Sequence, residues 1–272
     1  MLGAIAGDII GSIYEFGAGS GESVPLFSLD SHYTDDTLLT VATASILMEG
    51  GDYARAYCQA FQDEPHQAWG GMFARWAASG GGEPYGSFGN GSAMWVSPVG
   101  FWAKSREEAL TEARRSAEAT HNHPEGIKGA QATALAIYLA RQGASADLIR
   151  TDVSDLTGYD LTTTWDELLR TSSFNETCQG TVPPALIIAL EAGDFEAAMR
   201  RCLSLDADTD TPACIAGGMA EALWGLPDDV AEEVAGRLPD GMQDTVVRFQ
   251  QHVAERDKGS PKPPRQPNGG AA

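Results

Sequence analysis

The sequence is poor in positive charge: 18 Lys and Arg stand against 38 Asp and Glu, a formal charge of -20 over 272 residues. That balance opposes adhesion to polyanions, so stable binding to nucleic acid or an anionic membrane surface is not expected. Cysteine is scarce as well. Cys58, Cys178, Cys202 and Cys214 show no C-x-x-C spacing and no even ladder, which excludes a zinc ribbon and a disulfide framework and predicts reduced thiols in a cytoplasmic protein. No window reaches the ~20 uninterrupted apolar residues of a spanning helix. The opening MLGAIAGDIIGSIYEF has no basic residues ahead of its apolar part and carries Asp8 and Glu15 inside it, so it is expected to belong to the folded protein and not to a signal segment. Convincing β alternation is also missing, which argues against a sheet.

What is present is helical periodicity, over 37–48, 53–62, 105–119, 125–141, 183–192, 194–203, 213–224, 228–237 and 241–256. Nothing in the middle of the chain reads as a linker, and 43% hydrophobic residues suffice for a large core. The expectation is one all-α domain over 1–257, followed by a Pro-rich disordered tail at 258–272. Stretches such as AIAGDIIGS and CIAGGMAEALWG are rich in Ala and Gly, which lets helix axes approach closely. The glycine-rich segment 77–100 interrupts the helical pattern, and an irregular stretch of that length in a compact domain is more often functional than filler.

Two acidic knots precede apolar runs: HYTDDTLLTVA at 32–42 and DADTDTPACIAGG at 206–218. Either one alone is explained by helix capping, with Thr34 as N-cap, Asp35 and Asp36 in the first turn, and Pro212 in the first turn of the second helix. Together they carry another meaning. Thr-Asp-Asp and Asp-x-Asp-Thr offer the carboxylate and hydroxyl oxygens that hard divalent cations take, and bringing so many aspartates together is costly without cations between them. Asp8 and Glu15 sit in an apolar stretch where a charge needs a partner. For Asp8 a hydrogen bond to backbone is expected; Glu15, beside the glycine-rich FGAGSGE, is placed to face a cleft.

The segments GAIAGDIIGSIYE, YTDDT, PYGSFGNGSAM, ATHNHPEGIKGA, CQGTVPPAL and DADTDTPACIAGGMAEALWG follow one another in the order seen in the ADP-ribosylglycohydrolase family, which the sequence resembles from about Leu2 to Pro227. The resemblance implies a single orthogonal helical bundle with two Mg²⁺ (or Mn²⁺) ions at the base of a cleft for ADP-ribose. It implies Thr34, Asp35 and Asp36 as one ligand set and Asp208, Asp210 and Thr211 as the other, with Asp206 just outside. Glu15 resembles the acid/base residue, working beside Asp36 at the catalytic centre. Gly86, Ser87, Phe88, Gly89, Asn90 and Gly91 resemble the segment that wraps the diphosphate and distal ribose, with backbone N–H groups of Gly86, Ser87, Gly89 and Gly91 offered to the anion. His121 corresponds to a histidine that helps hold the nucleotide. Where relatives commonly read N-G-x-A-M-R, this sequence has Trp95 in place of the arginine.

The implied activity is metal-dependent hydrolysis of the glycosidic bond between ADP-ribose and a modified side chain, arginine-linked as first guess, on an ADP-ribosylated protein or other target. ADP-ribose is the expected product. Two alternatives stand beside it: an ADP-ribose-binding protein without turnover, and a magnesium-dependent hydrolase of another nucleotide-like substrate.

Overall fold

The computed structural model describes residues 1–14, 23–171, 175–205 and 208–258. Glu15, Asp206 and the proline-rich segment from 259 onward lie outside them. Fifteen helices follow in order: α1 (Leu2–Gly11), α2 (Asp35–Glu49), α3 (Tyr53–Asp63), α4 (Gly71–Ala78), α5 (Gly91–Met94), α6 (Ser97–Trp102), α7 (Arg106–Glu118), α8 (Pro124–Arg141), α9 (Ala146–Thr157), α10 (Trp165–Thr171), α11 (Cys178–Ala192), α12 (Phe195–Cys202), α13 (Asp210–Trp224), α14 (Asp228–Arg237) and α15 (Asp240–Asp257). No strand occurs among the described residues, where an isolated antiparallel bridge pairs Gly89 with Thr177. Among those residues no helix is long and apolar enough to cross a membrane.

The all-α expectation holds, with two local corrections. The segment 77–100 is not one long loop: GSAM and SPVGFW fold as the short helices α5 and α6, so the irregular part ends at Asn90. The helix expected from 183 begins at Cys178, capped by the Thr177 hydroxyl, which accepts the Gly180 N–H at 3.1 Å. Pro183 and Pro184 therefore lie inside the helix, and the bonds they cannot donate are confined to carbonyls of its first turn.

At the centre, α1 packs on α13 with almost no side chain between them. A Cβ on Gly7 would stand 2.0 Å from the Ala213 carbonyl oxygen, and one on Gly217 would stand 2.1 Å from that of Gly3. Only residues without a Cβ permit such an approach. The other face of α1 puts Ile5, Ile9 and Ile10 into the main apolar core with α8 and α11, each contributing about 1.5–3 kcal/mol through burial. A second, aromatic cluster gathers Tyr57, Phe73, Trp76 and Trp95 between α3, α4 and α7.

Candidate active site

The start of α2 is built on α1. Asp8 is fully buried and accepts four hydrogen bonds: from the Thr34 N–H at 2.9 Å, the Thr34 hydroxyl at 2.7 Å, the Thr37 N–H at 3.1 Å and the Thr37 hydroxyl at 2.5 Å. A carboxylate from another helix thus caps α2, and the expected backbone bond of Asp8 is present. Burial raises the Asp8 pKa, and the four donors oppose that rise. Thr34, itself buried, spends its hydroxyl proton on Asp8.

The same helix meets the second acidic knot. A Cβ on Gly11 would lie 2.4 Å from the Cα of Asp210, so the end of α1 abuts the first turn of α13. Through these contacts Asp36 and Asp210 come together as buried residues of one cleft, with Asp35, Asp208 and Thr211 beside them. The Thr211 side chain hydrogen-bonds Asp36, and Asp208 hydrogen-bonds Asp210. Burial, then the charges of Asp8, Asp35 and Asp208, push the Asp36 carboxyl well above the usual range; burial and Asp36 do the same to Asp210. Asp36 Oδ2 is buried without a hydrogen-bond partner. An orphaned carboxylate oxygen among like charges is the chemistry that a divalent cation relieves, so the donor types fit such an ion. Among the described residues no group of three or more His, Cys, Asp or Glu side chains is arranged as a ready metal cage.

The glycine segment forms the next wall. Backbone bonds from Asn90 N–H to the Glu176 carbonyl (2.8 Å) and from Cys178 N–H to the Phe88 carbonyl (2.9 Å) clasp it to the start of α11. The Asn90 side-chain amide donates to Thr181 Oγ1 at 3.2 Å and to Asp208 Oδ2 at 3.3 Å, which ties this wall to the acidic pair. Of the four N–H groups expected to stand open, those of Gly86, Ser87 and Gly89 need correction, and that of Gly91 does not. Gly86 N–H is taken by Asn122 Oδ1 (2.8 Å), Ser87 N–H by the Thr120 carbonyl (3.4 Å) and Gly89 N–H by Ser87 Oγ (3.1 Å). Glycine is required here for other reasons: Gly86 has φ +68°, and a Cβ on Gly91 would stand 3.2 Å from His121 Nε2.

His121 is buried beneath that segment, its Nδ1 2.8 Å from the Thr120 hydroxyl and its ring edge-on to Trp95 at 5.1 Å. Burial lowers its pKa to about 3, so the ring is neutral at physiological pH. Trp95 is core: its indole N–H donates to Ser116 Oγ at 2.9 Å, which also meets Tyr57 Oη at 2.7 Å. Ser87, Gly89, Asn90, Gly91 and His121 share the cleft with the acidic pair. Gly86, Thr34 and Phe88 do not line it; Phe88 is exposed against the His123 ring at 5.2 Å.

The cleft has a volume of ≈ 520 Å³. One part of its lining went unread in the sequence. Gly70, Gly71, Met72, Phe73 and Arg75, on and just before α4, also line it. The Gly70–Gly71 pair at the start of α4 was the available signal.

A family model described as ADP-ribosylglycohydrolase matches residues 1–260. ADP-ribosylhydrolase ARH3 from Danio rerio is 25% identical over an alignment 355 positions long, gaps included, covering 96% of this chain and 93% of the relative. The protein of that name from Mus musculus is 29% identical over 185 residues, covering 54% of this chain and 49% of the relative. The Homo sapiens protein is 28% identical over 187 residues, with 54% and 50% covered. The chain thus spans about half the length of the mouse and human relatives it matches. A solved structure described as an ADP-ribosylglycohydrolase-related protein complex shares the fold, with a TM-score of 0.64, 23% identity, and coverage of 93% of this chain and 97% of the other.

Proposed function

Because the chain belongs to the ADP-ribosylglycohydrolase family, we propose that it is a hydrolase that cleaves the glycosidic bond between ADP-ribose and a modified side chain and releases ADP-ribose. The observation that carries the reading is the buried approach of Asp36 to Asp210 at one end of a cleft walled by the glycine segment and His121.

Thr34, Asp35 and Asp36 on one side, and Asp208, Asp210 and Thr211 on the other, would hold two Mg²⁺ or Mn²⁺. When bound, these ions supply Lewis-acid polarisation of ribose oxygens and of water. Thr34 suits the role because its proton is already committed to Asp8 and one lone pair to the Asp36 N–H at 3.3 Å, which leaves the other lone pair for a cation. Asp208, which hydrogen-bonds Asp210 and accepts from the Asn90 amide, would hold an ion with its carboxylate.

Cleavage at the anomeric carbon passes through an oxocarbenium-like state, which buried carboxylates stabilise electrostatically. His121, neutral at working pH, orients substrate by hydrogen bonding and does not serve as the acid. Glu15 is the residue assigned to move a proton between water and the leaving atom. The burial of Asp36, Asp210 and His121 keeps bulk water from these groups and strengthens each of those contacts.

The test is release of free ADP-ribose from an arginine-linked ADP-ribosyl peptide in Mg²⁺, in excess chelator, and with Asp36→Ala and Asp210→Ala. Release that chelator and either substitution abolish is expected. Equal rates in the two variants and wild type would overturn the reading, and cleavage at phosphorus with no free ADP-ribose would favour hydrolysis of a different nucleotide.

A further inference from the structure

The glycine segment spends much of its hydrogen-bonding capacity inside the protein. The N–H groups of Gly86, Ser87, Gly89 and Asn90 are all engaged by Asn122, Thr120, Ser87 and Glu176. A diphosphate lodged against that wall carries two negative charges, in a cleft whose own side chains include Asp35, Asp36, Glu176, Asp208 and Asp210. Cations held by the aspartates would offset their own ligands, and a diphosphate against the glycine wall calls for a further cation that this wall does not contain.

We propose that Arg75 is that cation, a specificity-determining residue that holds the diphosphate from α4, on the cleft it shares with the glycine segment. This rests on the ADP-ribose reading above. Arg75 is the one Lys or Arg among the described residues that line the cleft. It is exposed on α4 and makes no ion pair. Arg55 and Arg170 are likewise exposed without an ion pair, but neither lines the cleft. At Arg75 alone do unpaired guanidinium donors coincide with the cleft among the described residues.

Its position has a local cause. The guanidinium lies back along α4, with Nη1 3.6 Å from the place a Cβ on Gly71 would occupy. The bare backbone at Gly71 leaves the planar head free on the cleft side, where its fork matches two phosphate oxygens.

The experiment is calorimetric titration of ADP-ribose, and separately of adenosine, into wild type, Arg75→Ala and Arg75→Lys in Mg²⁺, with thermal unfolding as the check on folding. Arg75→Ala should weaken ADP-ribose about tenfold or more and flatten the salt dependence of its Kd, because a charge-assisted bidentate contact is lost. Arg75→Lys should lie between, and adenosine should bind all three alike. ADP-ribose binding within twofold of wild type in folded Arg75→Ala would overturn the proposal and leave the reading of the site standing. Failure of wild type to bind ADP-ribose would overturn both. Parallel weakening of adenosine would assign Arg75 to general cleft structure and reject the diphosphate contact.

Discussion

Gly11 and Asp210 lie so close that a Cβ built on the glycine would stand 2.4 Å from the aspartate Cα. The contact joins the end of α1 to the first turn of α13. Three residues earlier Asp8 caps α2 through Thr34 and Thr37. One helix therefore carries both acidic knots.

That arrangement makes the α1–α13 seam sensitive to a single methyl group. Gly7→Ala should destabilise the protein by about 1–3 kcal/mol or more, because backbone atoms sit where the Cβ must go. The better helix propensity of alanine, worth roughly 1 kcal/mol, does not offset this. Gly236→Ala, in α14 with nothing within 4 Å of its Cβ position, should instead gain about 0.5–1 kcal/mol. Urea midpoints of the two variants check the contrast, and similar values for both would contradict the packing argument.

Asp36→Asn should separate stability from activity. In chelator at neutral pH the variant should unfold later than wild type, by about 1 kcal/mol or more, since the substitution removes a buried charge among like charges. ADP-ribose release should fall about a hundredfold or more.

The pH dependence of wild type in chelator follows from the same carboxyls. Asp36 is raised well above 3.8 by burial and by the charges of Asp8, Asp35 and Asp208, and Asp210 by burial and Asp36, so the folded protein holds protons that the unfolded chain has lost. Their contribution is full below 3.8 and declines as pH rises through the raised values. Saturating Mg²⁺ should restore stability most at the alkaline end, by about 2.7 kcal/mol at a hundred times Kd. Thermal melts across pH with and without Mg²⁺ measure this; an identical shift at every pH would refute it.

His121 acts in the opposite direction. Its pKa falls from 6.5 to about 3 on folding, so its contribution is present above 6.5 and is lost as pH drops toward 3, where the unfolded chain takes the proton first. Across that window the loss is about 1.4 kcal/mol per pH unit. His121→Asn should shallow the acid limb of a stability-against-pH curve by that slope.

Trp95→Arg restores the residue common at this position in the family pattern, but here it would bury a cation beside Tyr57, Ser116 and His121. A loss of about 3 kcal/mol or more is expected, visible as a lower Tm. Trp95→Phe, which removes only the Ser116 bond and some volume, should cost less.

The residues that were legible in the sequence are those whose neighbours along the chain announce them. Asp35 and Asp36 ahead of the α2 run, and Asp208 and Asp210 ahead of α13, declared helix starts and a shared chemistry together. The all-helical class followed from periodicity. What stayed hidden depends on contacts between distant segments. That Gly3, Gly7 and Gly11 form a seam with α13 requires knowing which helix lies opposite, and glycine spacing alone does not say. The commitment of the Gly86 and Gly89 N–H groups to Asn122 and Ser87 is likewise a matter of loop closure. Arg75 belongs to a helix too short for its period to register, which left only the Gly70–Gly71 pair at its start to mark that part of the cleft.

The seam between α1 and α13 also bears on the cation. Helices held backbone to backbone have no side chains to re-rotamer, so the first turn of α13, with Asp210, is fixed against α1, while Asp8 on α1 holds the start of α2, with Asp36. In the proposed reading, the stiffness of a glycine seam that carries no ligand would help to set the spacing of the carboxylates around a cation.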